Sequence, residues 1–342
     1  MRAAGRYAVG MEITYDANAP SRKHYPEMWH CDNGISDKPS LTFGGEIASL
    51  NLMDRSEIRA AFAALLSLAV LATSIFSETA SAASAIDHIR QDKSIRIAYR
   101  EDAPPFSSKD KIGEPVGFMV DLCRAVAKEI ASQLKLESLN VTYVAVTAAD
   151  RFDTIKQGKA DMLCEPTSVT LARRELVDFS IPTFVDGASL IIRADAPRDL
   201  KGLAGQKIGV LAGTTTEQSL RDSLTRAGVT AEVVPAKTHS EGLAMLDESK
   251  IAAYFGDRSI LVSLGNQSKA PEKLLLAETY LSIEPYALAL PRGDEDFRLG
   301  VDRALSHIYR SGEIAGIFKR TFGDANPGQT LQTLYLLVAL PD

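Results

Sequence analysis

The stretch ADMLCEPTSVTLARRELVDFS, residues 160–180, decides how this chain is read. Its apolar start at 160–164 reads as a buried strand, and Pro166, Thr167 and Ser168 then read as a turn that exposes carbonyl, hydroxyl and N–H groups. Arg173 falls where a short helix would aim it back at that turn. A planar guanidinium pairs with a carboxylate through two parallel hydrogen bonds, so the segment suits the carboxylate of a small molecule. Taken alone, it fits equally well a helix surface carrying Arg173 and Arg174 as ordinary charges.

Outward from this stretch, strand-like and helical runs alternate. Candidate strands lie at 95–99, 141–146, 160–164, 189–193, 207–211, 231–234, 251–255, 274–277 and 286–290, with helices in most gaps, the pattern of an α/β protein with largely parallel sheets. Met119, Leu122, Val126, Ile130 and Leu134 recur at spacings of three and four, which predicts a helix buried along one face. Phe297, Val301, Leu305 and Ile308 repeat the pattern, and Gly323 with Pro327 is expected to stop that helix. Residues 331–340 are apolar but too few to span a bilayer, so they are expected to pack on the body.

The turn-rich 194–205 segment reads as a crossing between two α/β bodies and 281–285 as the return. Two lobes joined by two strands leave a cleft. Ligands of open α/β sheets bind beyond the carboxyl ends of strands, which singles out 100–105, 165–168, 212–216 and 256–258.

Composition narrows the partners. With 342 residues, a net charge of −6, 45% hydrophobic and 24% charged residues, the chain fits a globular protein of about two domains. No basic stripe is present, so neither nucleic acid nor an acidic membrane surface is expected as a partner. The histidines at 24, 30, 88, 239 and 307 form no HxxxH pair, and neither G-x-G-x-x-G nor G-x-S-x-G occurs. No metal, cofactor or catalytic residue is therefore expected.

Arg55 and Arg59 precede the uncharged run AAFAALLSLAVLATSIFS at 60–77, and small residues follow at 80–85. This is the pattern of a secretory signal peptide with an A-x-A cleavage site, and it predicts a periplasmic protein. Met53 is then the expected start and 1–52 an upstream extension, with the signal at 53–82, one lobe at 83–193, the second at 194–282, and the return and tail at 283–342. Export would remove Cys31 and leave Cys123 and Cys164 in an oxidising compartment, either disulfide-bonded or packed as two buried thiols.

An amino-acid zwitterion needs a cation or N–H donors for its carboxylate and an anion for its ammonium. Residues 213–217, GTTTE, follow a strand and open a helix, with Thr214 and Glu217 at capping-box spacing. They offer N–H groups to an anion, or simply cap the helix. Asp257 ends IAAYFGD and is a candidate acceptor for the ammonium, or an N-cap for the helix starting near Arg258.

From about 86 to 323 the chain resembles the amino-acid-binding proteins of ABC uptake systems, bacterial extracellular solute-binding family 3, and within it the glutamate/aspartate-binding branch. The resemblance is carried by an ordered set: Pro105-Phe106, Gly117-Phe118, Asp121, Arg151, Ala160-Asp161, Arg173, Asp178-Phe179-Ser180, LKGLAG at 200–205, Gly213-Thr214-Thr215 and Asp257. It implies a two-lobed type II binding-protein fold with a two-stranded hinge, acting as a monomeric carrier with a small amino acid as ligand and an ABC permease as partner. By the same resemblance Arg173, Ser168 and Thr215 hold the α-carboxylate, Asp257 and the Pro166 carbonyl hold the α-ammonium, and Arg100 and His239 meet an acidic or amide side chain. Two positions depart from the branch. Glu165 stands where a small neutral residue is usual: facing the ligand it would repel a dicarboxylate, and paired with Arg100 it would cancel the preference for one. Ala103 replaces a stacking aromatic. The fold also hosts cyclohexadienyl dehydratase and lytic transglycosylase domains, so an enzyme using Glu165 or Asp102 as general acid is the alternative.

Overall fold

The computed structural model describes residues 84–341, so the extension and signal peptide expected at 1–82 lie outside the described residues. The first lobe opens with α1 (Ala85–Asp92), capped by the Ser84 hydroxyl, and β1 (Ser94–Arg100). Three short strands follow, β2 (Asp102–Ala103), β3 (Ser107–Lys109) and β4 (Pro115–Val116), and then α2 (Phe118–Gln133). The predicted stripe on α2 is buried at Met119, Leu122, Val126 and Ile130. Gly117, at a φ of +127°, lets this helix start against the Pro105-Phe106 backbone; a Cβ there would sit 2.4 Å from the Phe106 carbonyl oxygen.

The first sheet is completed by β5 (Asn140–Val146), β6 (Met162–Leu163), β7 (Asp178–Phe179) and β15 (Ala289–Leu290), in the order β5-β1-β6-β15-β7. β1 runs parallel to β5 and β6, while β15 is antiparallel to β6 and β7. Two short helices, α3 (Arg151–Lys156) and α4 (Leu171–Arg174), flank β6. Cys123 of α2 and Cys164, just past β6, form a disulfide, which decides between the two alternatives open from sequence.

The second sheet contains β9 (Ala188–Arg193), β10 (Lys207–Leu211), β11 (Glu232–Ala236), β12 (Ala253–Asp257) and β13 (Leu274–Leu276) in the order β11-β10-β12-β9-β13. β10 is parallel to β11 and β12, and β9 is antiparallel to β12 and β13. Helices α5 (Thr215–Ala227), α6 (His239–Asp247) and α7 (Arg258–Gln267) connect them.

The crossing lies earlier than expected. β8 (Phe184–Asp186) pairs antiparallel with β14 (Glu284–Tyr286), and this two-stranded ribbon links the lobes. β9 already belongs to the second sheet, so the boundary placed after residue 193 moves to about 187, and 194–205 is a surface connection within the second lobe. The apolar run of β9 was legible, but which sheet it joins is a long-range pairing that periodicity does not encode. For the same reason the single strand expected at 286–290 is two pieces, one in the ribbon and one in the first sheet.

The chain closes with α8 (Glu295–Arg310), α9 (Glu313–Phe322) and α10 (Gln329–Val338). The helix expected to run to Gly323 is broken at Ser311-Gly312, where Gly312 takes a φ of +79°. The tail packs on the body as expected: Leu331 and Tyr335 are buried, and the Tyr335 hydroxyl donates to the Thr183 carbonyl. An aromatic cluster fixes the ribbon to the first lobe, with Phe106 4.9 Å from Phe184 and 5.4 Å from Tyr286 between ring centroids.

Candidate functional site

The strand ends converge as the topology requires, and they bring an unusual number of charges out of water. Arg100 ends β1 with 3% exposure, Arg151 opens α3 with 3%, and Glu165 follows β6 with 1%. Arg100 donates from Nε and Nη2 to Asp102 Oδ1 at 2.9 and 2.7 Å, and its Nη1 lies 3.6 Å from Glu165 Oε2. Arg151 Nε lies 3.2 Å from Glu165 Oε1, and the Thr167 hydroxyl donates to that same oxygen. Burial alone would lower the Arg100 pKa, but Glu165 and Asp102 outweigh it and raise it; for Arg151 burial wins, and Arg100 adds to the lowering against Glu165.

Arg173 is placed differently. The Thr170 hydroxyl caps α4 by accepting from the Arg173 N–H at 3.1 Å, which turns the side chain back toward the turn. Its Nη1 donates to the Ser168 carbonyl at 2.7 Å, and its guanidinium lies 5.3 Å from the Phe152 ring centroid. No carboxylate among the described residues lies within salt-bridge distance of it. Burial, then Arg151, pushes its pKa down to about 10, against the pull of Glu165, Glu284 and Asp257.

From the second lobe, Thr214 caps α5 by accepting from the Glu217 N–H at 3.2 Å, and Glu217 returns the bond from the Gly213 N–H at 3.0 Å. Thr214 thus caps the helix, with Glu217 reaching one residue further back than in a capping box, and the cap presents Thr215. The Thr215 hydroxyl lies 3.2 Å from the Ser168 hydroxyl of the first lobe and donates to Glu284 Oε2 at 3.1 Å. Asp257 ends β12 but does not cap α7; Asp186 Oδ2 takes the Ser259 N–H instead, at 3.1 Å. The Asp257 carboxyl is buried with Oδ1 unbonded, facing a Tyr286 hydroxyl that is also without a well-formed hydrogen bond. Its pKa is pushed well above the carboxylate range by burial, then by Asp186 and Glu284. Burial likewise lifts Asp186 to about 6 despite N–H donors from Gly187 and Ser259.

Of the residues singled out from sequence, Ser168, Arg173 and Thr215 meet at the cleft, with Pro166 half-buried in the turn beside them and Asp257 within electrostatic reach of Arg173. Arg100 is buried but already paired. His239 opens α6 and is 3% exposed; its N–H donates across the lobes to Asp102 Oδ2 at 3.0 Å, and its Nδ1 lies 3.0 Å from the Tyr254 hydroxyl. Burial, then Arg100, pushes its pKa down to about 3, so the ring is neutral. Sequence reasoning did not single out Asp186, Glu284 and Tyr286, which surround Asp257. Asp186 and Glu284 sit directly opposite one another on the ribbon; Glu284 lay in the expected return at 281–285, but Asp186 lay outside the expected crossing at 194–205 and carried no signal.

Two α/β lobes joined by a two-stranded ribbon, with buried charges where they meet, define a two-lobed ligand-capturing protein. The chain belongs to the bacterial extracellular solute-binding proteins, family 3, which residues 95–324 match. It is 29% identical over 271 residues to an L-glutamate/L-aspartate-binding protein of Pseudomonas aeruginosa, covering 79% of this chain and 87% of the relative. It is 25% identical over 278 residues to a glutamate/aspartate import solute-binding protein of Escherichia coli, covering 80% and 92%. Among solved structures, an ancestral arginine-binding protein bound to glutamine superposes with a TM-score of 0.61 at 27% identity, covering 68% of this chain and 99% of that one. An ancestral amino acid-binding protein described as a precursor of cyclohexadienyl dehydratase gives 0.62 at 24% identity, a likeness of fold alone, covering 70% and 100%. No helix among the described residues is long and apolar enough to cross a membrane.

Proposed function

We propose that this protein captures a free amino acid with an acidic or amide side chain by closing its lobes, and delivers it to an ABC permease. One observation carries the reading. Among the described residues Arg173 has no carboxylate and Asp257 no cation within salt-bridge distance, yet Asp257 lies near enough to pull the Arg173 pKa upward. An unpaired guanidinium and an unpaired carboxyl group, which an ammonium would ionise, fit the two ends of a zwitterion. Asp186 and Glu284 opposite one another on the ribbon add to the pull on an ammonium, since like charges so placed otherwise destabilise a strand pair. Arg173, Ser168 and Thr215 are assigned to the carboxylate, Asp257 and the Pro166 carbonyl to the ammonium, and Arg100 with His239 to the side-chain end. The names of the relatives point the same way.

A carrier is favoured over an enzyme because both carboxylates proposed as general acids are engaged: Glu165 faces Arg100, Arg151 and Thr167, and Asp102 faces Arg100 and His239. We further propose export to the periplasm as a monomer after cleavage near residue 82. Thermal shift against the twenty amino acids tests the function, since a ligand at 100 times its Kd stabilises by ~2.7 kcal/mol. A melting point that none of them moves would sink it. The mass of the protein recovered from the periplasm tests the cleavage.

A further inference from the structure

We infer that Glu165 sets the side-chain specificity of the cleft and makes it select a carboxamide, as in glutamine or asparagine, over the carboxylate of glutamate or aspartate. The inference rests on the function proposed above.

The side-chain end of the cleft is electrically complete. Arg100 and Arg151 are the cations there, Asp102 and Glu165 the anions, and all four are drawn together by the contacts described. His239 and Tyr254, the other titratable groups facing Arg100 and Asp102, are both held uncharged by burial. An entering carboxylate would add one unpaired negative charge to a buried set and face Glu165 directly. A neutral carboxamide leaves the set balanced. Burying an uncompensated charge costs far more than burying a hydrogen-bonded polar group, so charge alone separates the two ligand classes.

Hydrogen-bonding capacity separates them again. Glu165 Oε2 and Arg151 Nε are both buried and neither has a hydrogen bond; the 3.2 Å Arg151–Glu165 and 3.6 Å Arg100–Glu165 contacts are ion pairs only. The wall thus holds one unused acceptor close to one unused donor. A carboxamide has an N–H for the first and an oxygen for the second, whereas a carboxylate can answer only the donor. Arg151 and Arg173 lie over the same Phe152 ring, 4.6 and 5.3 Å from its centroid, and Glu165 stands three residues before Ser168, whose carbonyl Arg173 binds, so this wall adjoins the anchor of the amino acid. A site built to hydrogen-bond both halves of an amide rejects an analogue that leaves one half unpaired.

Calorimetry with L-glutamine, L-asparagine, L-glutamate and L-aspartate tests the inference on the wild type and on Glu165→Gln. In the wild type one of the amides should bind at least ~10-fold tighter than either acid. Glu165→Gln removes the negative charge and leaves Arg100 and Arg151 in excess, so the ratio should move toward the acids by at least ~10-fold. Should that variant fail to fold, Glu165→Ala answers the same question, and the wild-type ratio alone is decisive. An acid binding tighter than both amides to the wild type, or a ratio unmoved by removal of Glu165, overturns the inference and leaves the carrier function standing. Tight binding of only a basic or apolar amino acid does the same. Binding of no amino acid at all overturns the function and this inference together.

Discussion

Ser168 and Thr215 bring their hydroxyls to 3.2 Å across the cleft, one from the turn after β6 and the other from the first turn of α5. The same Thr215 hydroxyl reaches Glu284 on the ribbon, and at the other side of the cleft the His239 N–H reaches Asp102. Closure of two lobes is stabilised only by groups that touch both. Under the proposed function, these contacts are where binding and closure would be coupled.

Arg173→Met should weaken amino-acid binding at least ~100-fold, because removing one partner of a buried charge pair costs ~3–5 kcal/mol and each 1.4 kcal/mol is tenfold. The ligand-free variant should melt no lower than the wild type, since burial already disfavours the charge there. Calorimetry showing less than a fivefold change would remove Arg173 from the site.

Thr215→Val and Ser168→Ala should each weaken binding several-fold, and the double variant should lose less than the sum. The expected coupling is about 0.5–1.5 kcal/mol, the net worth of one hydrogen bond. Strictly additive losses would mean that the two hydroxyls act independently.

Affinity should fall as the pH falls. Asp257 holds its proton well above the ordinary carboxylate range in the ligand-free protein, while an ammonium beside it favours the ionised form. At any pH where the free protein keeps that proton, binding releases it, and the heat of binding should differ between buffers of different ionisation enthalpy. Asp257→Asn should abolish that buffer dependence and weaken binding; equal heats in all buffers for the wild type would contradict the assignment.

Asp186 makes the ligand-free fold less stable toward neutral pH. Its folded pKa of about 6 lies above that of the unfolded chain, so the native state binds more protons between them. The stabilisation is full below about pH 4 and lost as the pH rises through about 6, of order 3 kcal/mol in all. Urea unfolding at pH 4.5 and pH 7 should show Asp186→Asn closing part of the gap between the two. An identical pH dependence in variant and wild type would exclude Asp186 as its source.

The disulfide links positions 41 residues apart, so replacing Cys123 and Cys164 by alanine should cost about 4 kcal/mol by loop entropy. A drop in melting temperature with ligand affinity within a few-fold is expected, read by calorimetry on the double variant. An unchanged melting temperature would show that the cross-link adds nothing to this fold.

Local pattern made most of the elements legible. The stripe from Met119 to Ile130, the helix cap at Thr214, and the turn after residue 164 each follow from residue type and spacing over a few positions, and each stands in the structure. The same short-range logic put Arg173 and Ser168 in one segment and Thr215 at a helix start.

Pairing over long distances was not legible there. That β9 crosses into the second sheet, that Cys123 meets Cys164, that Asp186 lies opposite Glu284, and that Glu165 fills the space between Arg100 and Arg151 all depend on which strands become neighbours. Side-chain alternation and helical period determine what a segment is, because they report only the burial of its own faces. Which charges end up beside each other out of water, and so which ligand the cleft can hold, is decided by tertiary packing, since Coulomb and desolvation energies depend on distance in space rather than along the chain.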